Sequence, residues 1–119
     1  QQAAEQQQKV NAANNAVRSK NPARRAQGAR DMARLAGGAS VDVLIYMMQT
    51  DSSYDVRIAA TNALASLGSA ARKAVPNIEG LLNQPEYEAP MNATPEQLDN
   101  QMKDFDYRKA MRAALSRIR

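Results

Sequence analysis

Residues 51–82 read DSSYDVRIAATNALASLGSAARKAVPNIEGLL, and the fold class follows from them. Behind Asp55, a suitable N-cap, the residues Val56, Ala59, Ala60, Ala63, Leu64 and Leu67 recur in steps of three and four, the period of one helix face. Gly68 ends that helix. After Ser69, the positions Ala71, Ala74, Val75, Ile78, Leu81 and Leu82 outline a second amphipathic helix. Pro76 belongs in its first turn, because a proline in a helix interior loses a hydrogen bond and costs about 3 kcal/mol.

The same design recurs on both sides. Upstream, Asn21-Pro22 is an N-cap and N1 pair, followed by Ala26, Ala29, Met32, Ala33, Leu35 and Ala36, with Gly37-Gly38 as the stop. Ser40 then opens a helix bearing Val41, Leu44, Ile45, Met47 and Met48, and the polar stretch Thr50 to Tyr54 breaks it. Arg57, Leu64 and Leu67 fall on Arg25, Met32 and Leu35 at an offset of 32, and on Arg108, Leu115 and Ile118 at an offset of 51. In the second helices Val75, Ile78, Leu81 and Leu82 fall on Val41, Leu44, Met47 and Met48 at an offset of 34. A two-helix unit recurring at that spacing buries its apolar stripe only by stacking on its neighbours, which is the signature of a solenoid. With aromatics at 4% and only five Gly and five Pro, a turn-rich β-sandwich is a poor alternative.

The run Asp51-x3-Asp55-Val56-Arg57-x-Ala59-Ala60-x2-Ala63-Leu64-x2-Leu67-Gly68, continued by Ala74-Val75-Pro76-x-Ile78-x2-Leu81-Leu82, resembles a HEAT repeat of the short bacterial type. The likeness covers residues 51–82 well, 22–50 fairly, and only the first helix over 106–119. It implies an all-α chain, an α-solenoid of about two and a half HEAT-like hairpins, whose general role is protein binding or scaffolding. It also implies an inter-repeat ladder in which Arg57 pairs with Asp51 or Asp55. The expected division is a polar Ala/Gln-rich linker or frayed helix over 1–20 and a repeat domain over 21–119, with units 22–50, 51–82 and 106–119.

Between the last two units lies an insertion, residues 83–104, far longer than a usual connection. Its Pro-punctuated, acidic first half, with Glu86, Tyr87, Glu88 and Met91, reads as an extended surface loop. Thr94-Pro95-Glu96-Gln97 then forms a capping box for a short helix, about residues 95–103, with Leu98 and Met102 on one face. That phase does not run on into Tyr107, Met111, Leu115 and Ile118, so a break is expected near Asp104 to Asp106. With no second helix in the third unit, one face of Met111, Ala114, Leu115 and Ile118 is expected to lie open, for Leu98 and Met102 to cap or another chain to cover.

No cysteine and no histidine occur, which removes disulfides, thiolate and imidazole metal sites, and the usual nucleophile–base pairs. The acidic residues of the insertion lack calcium-loop spacing, and no glycine-rich phosphate loop is present. We therefore expect no catalytic residue, no cofactor and no metal, and no run of apolar residues is long enough for a membrane span. Charge is blocked: +4 over residues 1–50, −5 over 83–106 and +5 over 107–119. Arg24, Arg25 and Arg30 crowd the first unit and Arg108 and Arg112 the last, so a basic stripe for nucleic acid is the rival to a protein-binding surface built from Glu86, Tyr87, Glu88, Met91 and the helices. The absence of interleaved aromatics and the acidic insertion favour protein, either another chain or a second copy of this one. A chain opening at Gln1 leaves open both a cytoplasmic origin and a periplasmic or secreted one behind a cleaved leader.

Overall fold

Among the described residues six α-helices follow one another: α1 (Gln2–Ala16), α2 (Pro22–Ala36), α3 (Val41–Thr50), α4 (Tyr54–Ser66), α5 (Val75–Leu82) and α6 (Pro95–Ile118). The structure, a computed structural model, describes residues 2–119; Gln1, where the 1–20 segment and the question of a leader begin, lies outside the described residues. No strand occurs among the described residues.

The helix boundaries have local causes. Asn21 Oδ1 accepts the amides of Ala23 and Arg24 at 2.9 and 3.4 Å, and Pro22 stands in the first turn of α2. Gly37 and Gly68 take φ of +53° and +57°, turning the chain out of α2 and away from α4 into short 3-10 segments. The cap of α4 is Ser53 rather than Asp55: its Oγ accepts the Val56 amide at 3.4 Å, and Asp55 sits inside the first turn, where a carboxylate favours the helix dipole. Pro76 stands in the first turn of α5, as its sequence position requires.

Helices α2, α4 and α6 lie side by side, α1 flanks α2, and α3 and α5 pack behind with the two 3-10 segments, so the chain is an α-solenoid of helical hairpins measuring 59 × 32 × 15 Å. Leu44, Met48, Val56, Leu64, Ile78, Met111 and Ile118 are fully buried along its midline, each stabilising by about 1.5–3 kcal/mol. Ala29, Ala60, Ala71, Ala74 and Ala114 have no exposed surface, which lets the helix axes approach closely. Leu67, Val75, Leu82 and Leu115 are half-buried at the margin. At the other end the segment 2–16 is helical and rests on α2, where a Cβ at Gly28 would meet Val17 N at 2.8 Å.

Two further expectations fail. There is no break near Asp104: α6 runs unbroken through 24 residues, because nothing between Glu96 and Ile118 interrupts a helix. The change of apolar phase marks a change in what the helix touches. Nor do Met111, Ala114 and Ile118 present an open face; they are buried against α4 and the 3-10 segment Gly68–Ala74.

Candidate partner-binding surface

Thr94 and Gln97 close the capping box that starts α6, each side chain accepting the other's backbone amide, at 3.2 and 2.9 Å. From there the helix has two unlike faces. Tyr107, Met111, Ala114 and Ile118 turn inward to α4. Leu98, Met102 and Phe105 lie on the other side, roughly 180° around the axis at 100° per residue. They are 51%, 69% and 61% exposed, beside a groove of about 750 Å³ that Met102 and Phe105 share with Glu86, Tyr87, Glu88 and Asp106. Met91 is fully exposed.

The insertion is bound down rather than loose. Asp104, nearly buried, accepts the Arg108 Nε at 3.0 Å, the Tyr54 hydroxyl at 3.2 Å and the Tyr87 amide at 3.1 Å. Arg108 also donates to the carbonyls of Leu82 and Pro85 at 3.4 and 2.7 Å, and Gln101 accepts the Ala89 amide at 2.6 Å. Gln101, Asp104 and Arg108 share one flank of α6, so residues 85–89 are held along it by two charge-assisted bonds, from Arg108 and to Asp104, and a neutral one to Gln101. Under that segment Tyr107 donates to the Met48 carbonyl at 2.5 Å, and its ring meets Tyr54 edge-on at 6.0 Å between centroids. Burial pushes the Tyr107 phenol up to about 12, opposed by the Arg57 charge and aided by Asp104. Tyr54 is raised as well, first by burial and then by Asp104.

Arg25 and Arg108, offered as partner contacts, are withdrawn into ion pairs. Arg25 meets Asp51 through two bonds of 2.9 and 3.1 Å and also donates to the Ser19 and Lys20 carbonyls. Their side chains are 16% and 9% exposed. The Arg57 ladder is not formed either: Asp51 is taken by Arg25, Asp55 faces Lys103 at 3.4 Å, and Arg57 lies 3.9 Å from the centre of the Tyr54 ring. The Arg25–Asp51 bond raises the Arg25 pKa, and Lys103 is raised first by Asp55. Arg24, Arg30 and Arg112 are exposed, but α4, with no exposed basic residue, separates the first two from the third. Glu86, Glu88 and Met91 are exposed, whereas Tyr87 is half-buried against the cavity that holds Arg57.

Sequence reasoning missed Phe105 and Asp104. Phe105 continues Leu98 and Met102 at i+7, a signal hidden by the expected break. Asp104 has a local mark in Arg108 at i+4, but nothing local points to the Tyr54 and Tyr87 contacts of the four-way cluster it organises.

The model for HEAT repeats matches residues 11–93, more than half of the chain. The chain belongs to the HEAT-repeat family. No curated protein and no solved structure matches it. HEAT repeats generally mediate protein–protein interaction or scaffolding and are typically non-catalytic. The match stops just short of α6, so the exposed face of Leu98, Met102 and Phe105 lies outside the matched residues. No helix among the described residues is long and apolar enough to cross a membrane.

Proposed function

We propose that this HEAT-repeat chain is a non-catalytic protein-binding module that engages its partner through the outer face of α6 and the acidic 83–104 insertion. The observation that carries this reading is the run Leu98, Met102, Phe105, three large apolar side chains on one face of α6, each more than half exposed. Isolated exposed apolar residues are ordinary, but a helix-spaced run beside a groove is the form taken by docking surfaces for amphipathic segments. Glu86, Glu88, Asp99 and Asp106 surround it, within a block carrying −5. The occupant that fits is a protein segment with one apolar face and Lys or Arg at its margins, because opposite charge steers the encounter and apolar contact holds it.

The nucleic-acid reading has less to stand on, since Arg25 and Arg108 are committed to ion pairs inside the fold. The two are separated by a pull-down from the native source extract with this chain as bait, run with and without nuclease. A protein retained after nuclease, and lost from a variant carrying Leu98→Ser, Met102→Ser and Phe105→Ser that keeps its helical circular dichroism, is the expected result. Loss of all partners on nuclease treatment would overturn the reading. Recovery of only the chain's own native copies would make the occupant a second copy.

A further inference from the structure

Arg25, Arg57 and Arg108 occupy equivalent places near the start of α2, near the start of α4 and midway along α6, and two of the three are answered by a carboxylate. Arg25 meets Asp51, the residue that closes α3. Arg108 meets Asp104, one turn back on its own helix. Arg57 forms no ion pair among the described residues. The residue closing α5, where Asp51 closes α3, is Asn83, and Gln84 follows; neither bears a charge. The second rung of the ladder therefore has its cation and lacks its anion.

Arg57 is not simply exposed in compensation. Its guanidinium lies 3.9 Å from the Tyr54 ring centre and 5.3 Å from that of Tyr107, and its Nε is buried with no hydrogen-bond partner. Ring faces offset part of the cost of holding a cation away from water, but not all of it. A cavity of about 320 Å³ borders it, walled also by Gln49, Gln84, Tyr87 and Arg108. Of the charges on its wall, Asp104 is already engaged by Arg108, the Tyr54 hydroxyl and the Tyr87 amide, which leaves one net positive charge on Arg57.

We infer that this cavity is a carboxylate receptor: a carboxylate of a bound protein enters it and completes in trans the pairing that Asp51 gives Arg25 within the chain. A planar monoanion matches the guanidinium fork and the single net charge, whereas a phosphate dianion leaves surplus negative charge beside Asp104. The cavity and the groove beside Met102 share Tyr87 and Asp104, so the two adjoin at those residues. The inference rests on the partner-binding reading only for the source of the carboxylate; the receptor chemistry is measured without any partner.

The test follows the Arg57 Nε–Hε resonance by nitrogen-edited NMR in the full chain. Four probes are titrated at constant ionic strength: acetyl-Ala-Glu-Ala amide, acetyl-Ala-Ala-Ala with a free carboxyl terminus, acetyl-Ala-Gln-Ala amide and inorganic phosphate. The expected result is a saturable shift at Arg57 with one or both carboxylate peptides, none with the Gln peptide, and no change at exposed Arg112. Saturation by the Glu peptide assigns the source to an acidic side chain, and saturation by the free-terminus peptide alone assigns it to a chain end. Gln84→Glu places a carboxylate on the cavity wall. It should shift Arg57 before any peptide is added and weaken the peptide roughly tenfold by intramolecular competition. Absence of saturation, an equal response at Arg112, or phosphate binding as tightly as the carboxylates would overturn the receptor. Loss of partner binding in the α6 triple variant leaves this titration unaffected, so the two readings fail separately.

Discussion

From Asp104 to Ile118, α6 spends its inward face against α4; from Pro95 to Lys103 the same helix reaches past the solenoid and turns Leu98 and Met102 to solvent. The backbone is continuous, so the difference is one of neighbours. The first stretch behaves as the next helix of the repeat, its Met111, Ala114 and Ile118 filling the place that the preceding units leave open. Beside the second run the bonded segment 85–89, fastened through Gln101 and Asp104, and the first turn of α4, where Asp55 faces Lys103 at 3.4 Å. The inward face of α6 is fold and its outer face from Leu98 to Phe105 is available surface, and they should respond to substitution in opposite ways.

The largest effect belongs to the packed half. Met111→Ala removes a side chain with almost no exposed surface and leaves a cavity between α4 and α6, so urea unfolding should show a loss of about 2–5 kcal/mol. A loss below about 1 kcal/mol would mean that α6 is not seated on α4 and would dissolve the comparison. Next comes the junction. Asp104→Ala leaves Arg108 without its carboxylate and frees the Tyr87 amide and the Tyr54 hydroxyl. The expected cost is about 3 kcal/mol, and hydrogen exchange should speed at Tyr87 while the Met111 and Ala114 amides keep most of their protection. Faster exchange along the whole of α6 would show that its two halves are one cooperative unit.

A third effect tracks pH. In the folded chain the Tyr107 phenol holds its proton up to about 12, while in the unfolded chain it ionises near the ordinary tyrosine value of about 10. Below the lower value both states are protonated and the full stability is present. As pH rises between the two values, the unfolded state is favoured by ionisation that the folded state refuses, so stability falls by about 2 kcal/mol. Tyr107→Phe should remove that part of the alkaline decline, after an initial loss of about 1–3 kcal/mol for leaving the Met48 carbonyl unpaired. An unchanged alkaline slope in the Phe variant would place Tyr107 in contact with solvent.

How much of this could be read in the sequence depends on how local each cause is. Helix starts were legible because Asn21-Pro22 and Thr94-x2-Gln97 act within one turn, and the stacking of units was legible because Arg57, Leu64 and Leu67 repeat at matching intervals. The segment 2–16 was not, since what seats it is a buried Ala13 and the approach of Ala16 and Val17 to Gly28, contacts of small groups with little hydropathy signal. The unbroken α6 was misread because a shift of apolar phase looks the same whether the helix stops or changes neighbours. Only the residues at the shift, Asp104-Phe105-Asp106, argued for continuity by containing neither Gly nor Pro. The ladder was half legible. Arginine at that position was expected to meet a carboxylate, but which one depends on where the preceding helix ends, and Asp51 closes α3 toward Arg25 instead of opening α4 toward Arg57.

The smallest effect on stability is the one that matters most for function. Leu98→Ser, Met102→Ser and Phe105→Ser, made singly, should each change unfolding free energy by no more than about 0.5 kcal/mol, because their side chains already face water in the folded chain. Combined, they should leave the midpoint of unfolding nearly unmoved and still abolish retention of the partner. A packing role predicts the reverse order, with stability falling alongside binding, as it must for Met111. If the triple variant unfolds several kcal/mol more easily than the parent, the outer face of α6 is covered in solution by another copy or by the chain itself. Sedimentation of the parent across a concentration series would then distinguish those two, since only the first depends on concentration.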